Sequence, residues 1–159
     1  MMSLTPRRPR RRKIEHGIQV ALFDWRAMMV AQIPELALLH AIPNGAALKH
    51  SVRRTASGKN VRYSAEGKAL RKEGLTSSIP DVHWPVPRGR YHGLYIEHKA
   101  PKKSVPADQR KMHDLLRAQG HYVVVSRDAQ VSIDLVRAYW GLGPFTTKEN
   151  STCAENPQI

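Results

Sequence analysis

The sequence predicts an α/β domain, a mixed central β-sheet flanked by helices, and three observations lead there. Apolar residues recur at spacings of three and four over residues 14–33, 106–119 and 131–140, the mark of amphipathic helices. Two short apolar segments, one starting near Asp81 and one at residues 94–98, enclose a turn rich in Pro, Arg and Gly, which describes a hairpin. The β-branched run YVVVS, residues 122–126, follows the second of these after a single helix, so the step from 94 to 126 predicts a parallel β-helix-β crossover.

Residues 1–13 carry Arg7, Arg8, Arg10, Arg11, Arg12 and Lys13 with two prolines and no acid, a composition that predicts a disordered basic arm. Ile14, Ile18, Leu22, Trp25, Met29 and Ile33 then form one buried stripe of a first helix ending before Pro34. Glu15 and Gln19 lie beside that stripe, and Gly17, costly inside a helix, predicts a close approach by something large. Residues 36–42 read as a short strand closed by the turn Pro43-Asn44-Gly45. Residues 46–76 form a basic insert in which Lys49, Arg53, Arg54, Lys59, Arg62, Lys68, Arg71 and Lys72 outnumber Glu66 and Glu73, with a helix from Ser64 that Gly74 stops.

After the hairpin, residues 106–119 read as a helix with Pro106 in its first turn, an apolar stripe of Met112, Leu115 and Leu116, and Gly120 as its stop. Val131, Leu135, Val136 and Tyr139 mark the last helix, and residues 142–159 read as a flexible tail. One domain, residues 14–141, therefore accounts for the core, and a chain of 159 residues needs no disulfide or structural metal to support it.

The formal charge of +13, from 26 Lys and Arg against 13 Asp and Glu, points to polyanionic partners, nucleic acid first among them. No apolar run has the length of a membrane span, and the basic start lacks a signal-peptide core, which predicts a soluble, non-secreted protein. The single Cys153 cannot form an internal bridge and fits a reducing compartment, the cytoplasm in the first place, although the basic arm also leaves a nuclear destination open. Phosphate contacts are expected from Arg10, Arg11, Arg12 and Lys13 in the arm, Asn44 in the turn, Arg53 and Arg54 in the insert, and Arg88 and Arg90 in the hairpin turn.

Chemistry concentrates where the strand GLYIEHKAP ends. Alternation puts Tyr95, Glu97 and Lys99 on one face and Leu94, Ile96 and His98 on the other, which is the core face. Folding the hairpin brings Asp81 to the same end as Glu97 and Lys99. Two neighbouring carboxylates repel unless a cation sits between them, and an oxygen-only set with open positions suits magnesium or manganese. A nearby lysine can position or deprotonate a water and neutralise developing charge at a phosphodiester. The other reading of Glu97 and Lys99 is a plain structural ion pair in a nucleic-acid-binding protein without turnover. His83, His92 and His98 are not at zinc spacings, Trp84 reads as core, and Tyr91 is able to stack on a base.

Pro80-Asp81 with Glu97-His98-Lys99 resembles the PD-(D/E)XK nuclease superfamily. The ordered set Glu15 and Gln19, IPNG at 42–45, IPD at 79–81, RGRYHGLYIEHKAP at 88–101 and Gln109 is similar to the VRR-NUC family, the virus-type replication and repair nucleases, over roughly residues 14–140. The resemblance implies a magnesium- or manganese-dependent DNA endonuclease of the compact phage or bacterial type. It implies Glu15, Asp81 and Glu97 as metal-binding carboxylates, the His98 backbone carbonyl as a further ligand, and Lys99 and Gln109 as the rest of the catalytic set. It also implies a homodimer acting on branched DNA in the manner of Holliday junction resolvases in DNA repair, with a general or flap-type nuclease as the alternative. The sequence SVPADQ departs from the family pattern by placing Val105 before Pro106, which leaves Ser104 as the expected cap.

Overall fold

The structure is a computed structural model that describes residues 11–43, 51–54, 57–58 and 60–144, with backbone alone for 11–13, 51–54, 60–63 and 65. Helix α1 spans Arg11–Met29 and leads through a 3-10 helix, Pro34–Leu38, into the two-residue strand β1, His40–Ala41. Strands β2 (Ser51–Arg54) and β3 (Asn60–Tyr63) pair with each other, and α2 (Ala65–Lys72) follows. Then come β4 (Val82–Trp84), β5 (Leu94–His98), α3 (Ala107–Ala118), β6 (Tyr122–Ser126) and α4 (Ala129–Gly141). The main sheet runs β1-β4-β5-β6, antiparallel across its first two junctions and parallel at β5–β6, the mixed sheet that the sequence predicts.

Leu22 and Trp25 of α1, Ile133, Val136 and Tyr139 of α4, and Val82, Trp84, Leu94 and Ile96 of the sheet form one buried cluster. Trp84, fully buried, donates from its indole to the Glu35 carbonyl at 2.7 Å, so its single polar atom is satisfied inside the core. The other sheet face carries α3 against β6, where Val123 is buried. No helix among the described residues is long and apolar enough to cross a membrane.

Several expectations need correction. Helix α1 begins at Arg11, inside the segment read as an arm, and stops at Met29 because Ile33, preceding Pro34, is held at φ −129° and ψ 85°. The strand expected at 36–42 is mostly the 3-10 helix: Leu36 and Leu39, three apart, are both buried, and the Arg26 guanidinium takes the Leu36 and Ala37 carbonyls at 2.7 Å each. A Cβ at Gly17 would meet nothing within 4 Å, so no close approach explains that glycine. On α3 the inward face is Met112, His113 and Leu116 with Gln109, while Leu115 is 63% exposed. Pro106, not Ser104, is the N-cap of α3, without a side-chain bond. On α4 Val131 faces outward, while Ser132 and Ile133 join Val136 and Tyr139 in the buried stripe. Gly74, at φ +100°, follows the end of α2 as the sequence predicts, while Ser64, read as the first helical residue, is instead its N-cap.

Candidate functional site

The β4–β5 pairing sets Val82 opposite Ile96 and His83 opposite Tyr95. One further step along this antiparallel register sets Asp81 opposite Glu97, on the face away from the core. Cross-strand neighbours lie about 5 Å apart at Cβ, so the fold holds two carboxylates side by side. Asp81 Oδ2 accepts from the His98 backbone N–H at 2.8 Å, which ties the entry of β4 to the end of β5.

Glu97 is 1% exposed. Its Oε1 accepts from the Lys99 ammonium and from Gln109 Nε2, the latter at 2.9 Å, whereas Oε2 is buried with no hydrogen-bond partner. Burial first, and then the charge of Asp81, push the Glu97 carboxyl up to about 6, with the Lys99 bond and charge and the Gln109 bond opposing. Lys99, 6% exposed, follows β5 as its chain turns towards Pro101. Gln109 arrives from the first turn of α3, and its own Oε1 is buried without a partner.

Glu15, early in α1, reaches the same place. Its Oε1 accepts from the Ala100 N–H at 3.0 Å and from Lys103 Nζ at 3.3 Å, so it ties α1 to the turn that follows Lys99. Glu15, Asp81, Glu97, His98, Lys99 and Gln109 line one cleft of about 350 Å³, together with Gln19. All six positions singled out from the sequence as catalytic or metal-binding therefore converge.

The His98 ring does not share in that convergence. It lies on the core face, where Nε2 meets Ser132 Oγ at 3.2 Å, and burial lowers its pKa. The ring is thus taken up on the core side and is not available to the cleft.

Among the described residues no group of three His, Cys, Asp or Glu side chains is arranged to hold a metal by itself. The donor set still fits a hard divalent ion: two adjacent carboxylates, one with a buried oxygen lacking a partner, backbone oxygen beside them, and an open cleft for water. Magnesium typically takes one or two carboxylates and keeps several waters, so three converging side chains are not required.

The basic residues divide. Arg10 and Asn44 lie outside the described residues, as do the side chains of Arg11, Arg12, Lys13, Arg53 and Arg54. Arg88 is engaged within the chain: its guanidinium stacks 3.4 Å over the Trp140 ring and pairs with Glu35 at 3.8 Å, and its side chain is 14% exposed. It anchors the hairpin turn to α4, because a flat guanidinium shielded by an indole is better held there than in water. Arg90 is exposed near Tyr91, at the turn end of the hairpin and so at the opposite end of β4 and β5 from the carboxylates.

Sequence reasoning missed His16, Ser77 and Ser78 in the cleft wall, and His113 beside Glu97. Ser78 has φ +76°, a left-handed backbone that a non-glycine residue adopts only at a cost, and its hydroxyl donates to Asp108 Oδ2 at 2.7 Å. No periodicity marks such a position.

The architecture is that of a mixed α/β sheet flanked by helices, with an acidic cleft at the end of its central antiparallel pair. A solved structure described as a VRR_NUC domain protein has the same fold, with a TM-score of 0.63 and 22% identity over 84% of this chain and 93% of that one. No protein-family model matches the chain, and no curated protein matches it in sequence.

Proposed function

We propose that this protein is a magnesium- or manganese-dependent endonuclease that hydrolyses DNA phosphodiester bonds. The observation that carries the reading is Glu97: a buried carboxylate opposite Asp81, bonded to Lys99 and Gln109, with a second oxygen left unpartnered. A core has no need of that arrangement, because a well-packed apolar substitute is as stable. The excess of 26 Lys and Arg over 13 Asp and Glu supplies the attraction for a polyanion. Arg11, Arg12 and Lys13 precede Glu15 by one turn in the sequence of α1.

A divalent cation supplies Lewis acidity at the phosphoryl oxygen and a water of lowered pKa. Asp81 and Glu97 would provide the oxygens that hold it, with the backbone oxygen of His98 as a further donor. Lys99 neutralises charge that develops on the phosphate oxygens, and its own burial strengthens the interaction. Gln109 keeps Glu97 oriented through Nε2, and its unpartnered Oε1 can accept a hydrogen bond from a water. Glu15 acts through the turn, holding the Ala100 N–H and so the direction in which Lys99 leaves β5.

The finer reading is selectivity for branched DNA by a homodimer, whose two-fold axis sets two clefts against opposing strands. It rests on analogy of fold, a weaker support than the cleft.

A panel of linear, nicked, flapped and four-way DNAs, incubated with magnesium, manganese or a chelator, tests both. Cleavage in either metal and none in chelator is expected, with Asp81→Asn and Glu97→Gln slowed by on the order of 10²–10³ or more. Preference for four-way DNA by a dimer supports the finer reading, and equal rates with a monomer remove it. Tight, salt-dependent binding without turnover in any metal overturns the enzyme reading in favour of a binding protein in which Glu97 and Lys99 are only an ion pair.

A further inference from the structure

His113 is buried on α3, one helical turn beyond Gln109, and its Nε2 lies 3.8 Å from Glu97 Oε2. Both atoms are buried and neither has a hydrogen-bond partner. Residues four apart on a helix project from one face, so Gln109 and His113 approach the same carboxylate side by side. Gln109 takes Oε1, and His113 stands opposite Oε2. His113 is the buried residue of that helix, beside the half-buried Met112 and Leu116 of the expected apolar stripe.

Two unpartnered polar atoms facing each other in a dry interior are unfavourable, and a movement of about 1 Å, to an ordinary charge-assisted bond near 2.8 Å, satisfies both. We infer that His113 is a positioning residue for Glu97, which with Gln109 forms a two-pronged clamp fixing the plane of the carboxylate. An ionised carboxylate oxygen has two lone pairs, so an N–H from His113 on Oε2 leaves one for a cation. The clamp thus sets the direction of the remaining lone pair towards the Asp81 side of the cleft. This inference rests on the reading of Glu97 as a cation-binding residue.

The test uses the full chain and Mn²⁺ alone, with free Mn²⁺ followed by electron paramagnetic resonance and folding checked by thermal unfolding. His113→Phe keeps the ring volume and removes the N–H; a 10–100-fold loss of Mn²⁺ affinity in a folded protein is expected. His113→Gln, whose amide reaches the place of Nε2, should restore most of that affinity. If His113→Phe does not fold, His113→Asn takes its place, since its shorter amide stops at the position of Nδ1 and the same loss is expected. Undiminished affinity in the variant lacking the N–H, or a glutamine no better than phenylalanine or asparagine, overturns the inference. Glu97→Gln separates the two levels. If it binds Mn²⁺ as well as the natural chain, the reading of Glu97 fails; if it loses Mn²⁺ while His113→Phe does not, only the clamp fails.

Discussion

Placing a carboxyl in the interior beside another carboxylate has a measurable effect on stability without any substrate. Glu97 is raised from 4.5 to about 6 by burial and by Asp81. Between those two values the folded chain holds the Glu97 proton more firmly than the unfolded chain does, so folding binds a proton there. Stability from this group is therefore fully present below pH 4.5 and is lost as pH rises through 6. One and a half pKa steps correspond to about 2 kcal/mol, which water in the cleft reduces to roughly 1–2 kcal/mol.

The assay is urea unfolding at a series of pH values from 4 to 8 without divalent ions, for the natural chain and for Glu97→Gln. Histidines lowered by burial, such as His121, titrate in both proteins, so the difference between the two profiles isolates Glu97. That difference should fall by the stated amount between pH 4.5 and 6.5 and stay level above. Magnesium should oppose the fall only in the natural chain, and increasingly so at higher pH, because an ion that binds the ionised form stabilises by about 2.7 kcal/mol at a hundred times its dissociation constant. Parallel profiles refute the account of a strained buried carboxylate, and an equal magnesium effect in both proteins refutes the cation site.

Two further outcomes test the corrected parts of the fold. Gly17→Ala should raise the urea midpoint by an amount equivalent to about 0.5–1 kcal/mol, since the site is open and helical; a loss of stability means that the outward face of α1 is covered in solution. Arg88→Ala should lower stability by about 1–2 kcal/mol through the lost Trp140 stack, with DNA affinity and its salt slope unchanged. A slope shallower by about one unit would make Arg88 a phosphate contact after all.

The parts of the fold legible in the sequence are those governed by period. β4, β5 and β6, their hairpin and crossover, and the stop at Gly74 follow from alternation, β-branching and turn chemistry. The convergence of Asp81, Glu97 and Lys99 was legible for the same reason, because a hairpin register is arithmetic once its strands are known. The 3-10 helix at Pro34–Leu38 was not, since its leucines suit a strand equally well and its carbonyls are held by Arg26, distant in the chain. Arg88 read as a phosphate contact because charge density alone says nothing of an indole arriving from α4. His113 was hidden by the helix period itself: Leu115 looked like the inward residue, and only the docking of α3 on β6 shows which face turns in.

The alternation of β5 sends adjacent side chains to opposite faces at the end of the strand. Glu97 faces the cleft, while the adjacent His98 ring is buried on the other side against Ser132, whose hydroxyl also donates to Ser126 Oγ at 2.8 Å. Those serines belong to α4 and to β6, and Ser126 stands opposite His98 in the parallel pair. The last residue of β5 is thus fastened from the core side by two elements, and its backbone N–H fastens Asp81 in turn. A strand end in a sheet normally frays, yet the carboxylate pair of the proposed site needs placement within about half an ångström. Burying the His98 ring, with its pKa lowered by desolvation, resolves the conflict: the ring acts as a wedge that immobilises the backbone between the two carboxylates. On this argument the histidine inside the Glu97-His98-Lys99 run belongs to the scaffold, and the proposed chemistry falls to its two neighbours, which are bonded to each other in the cleft.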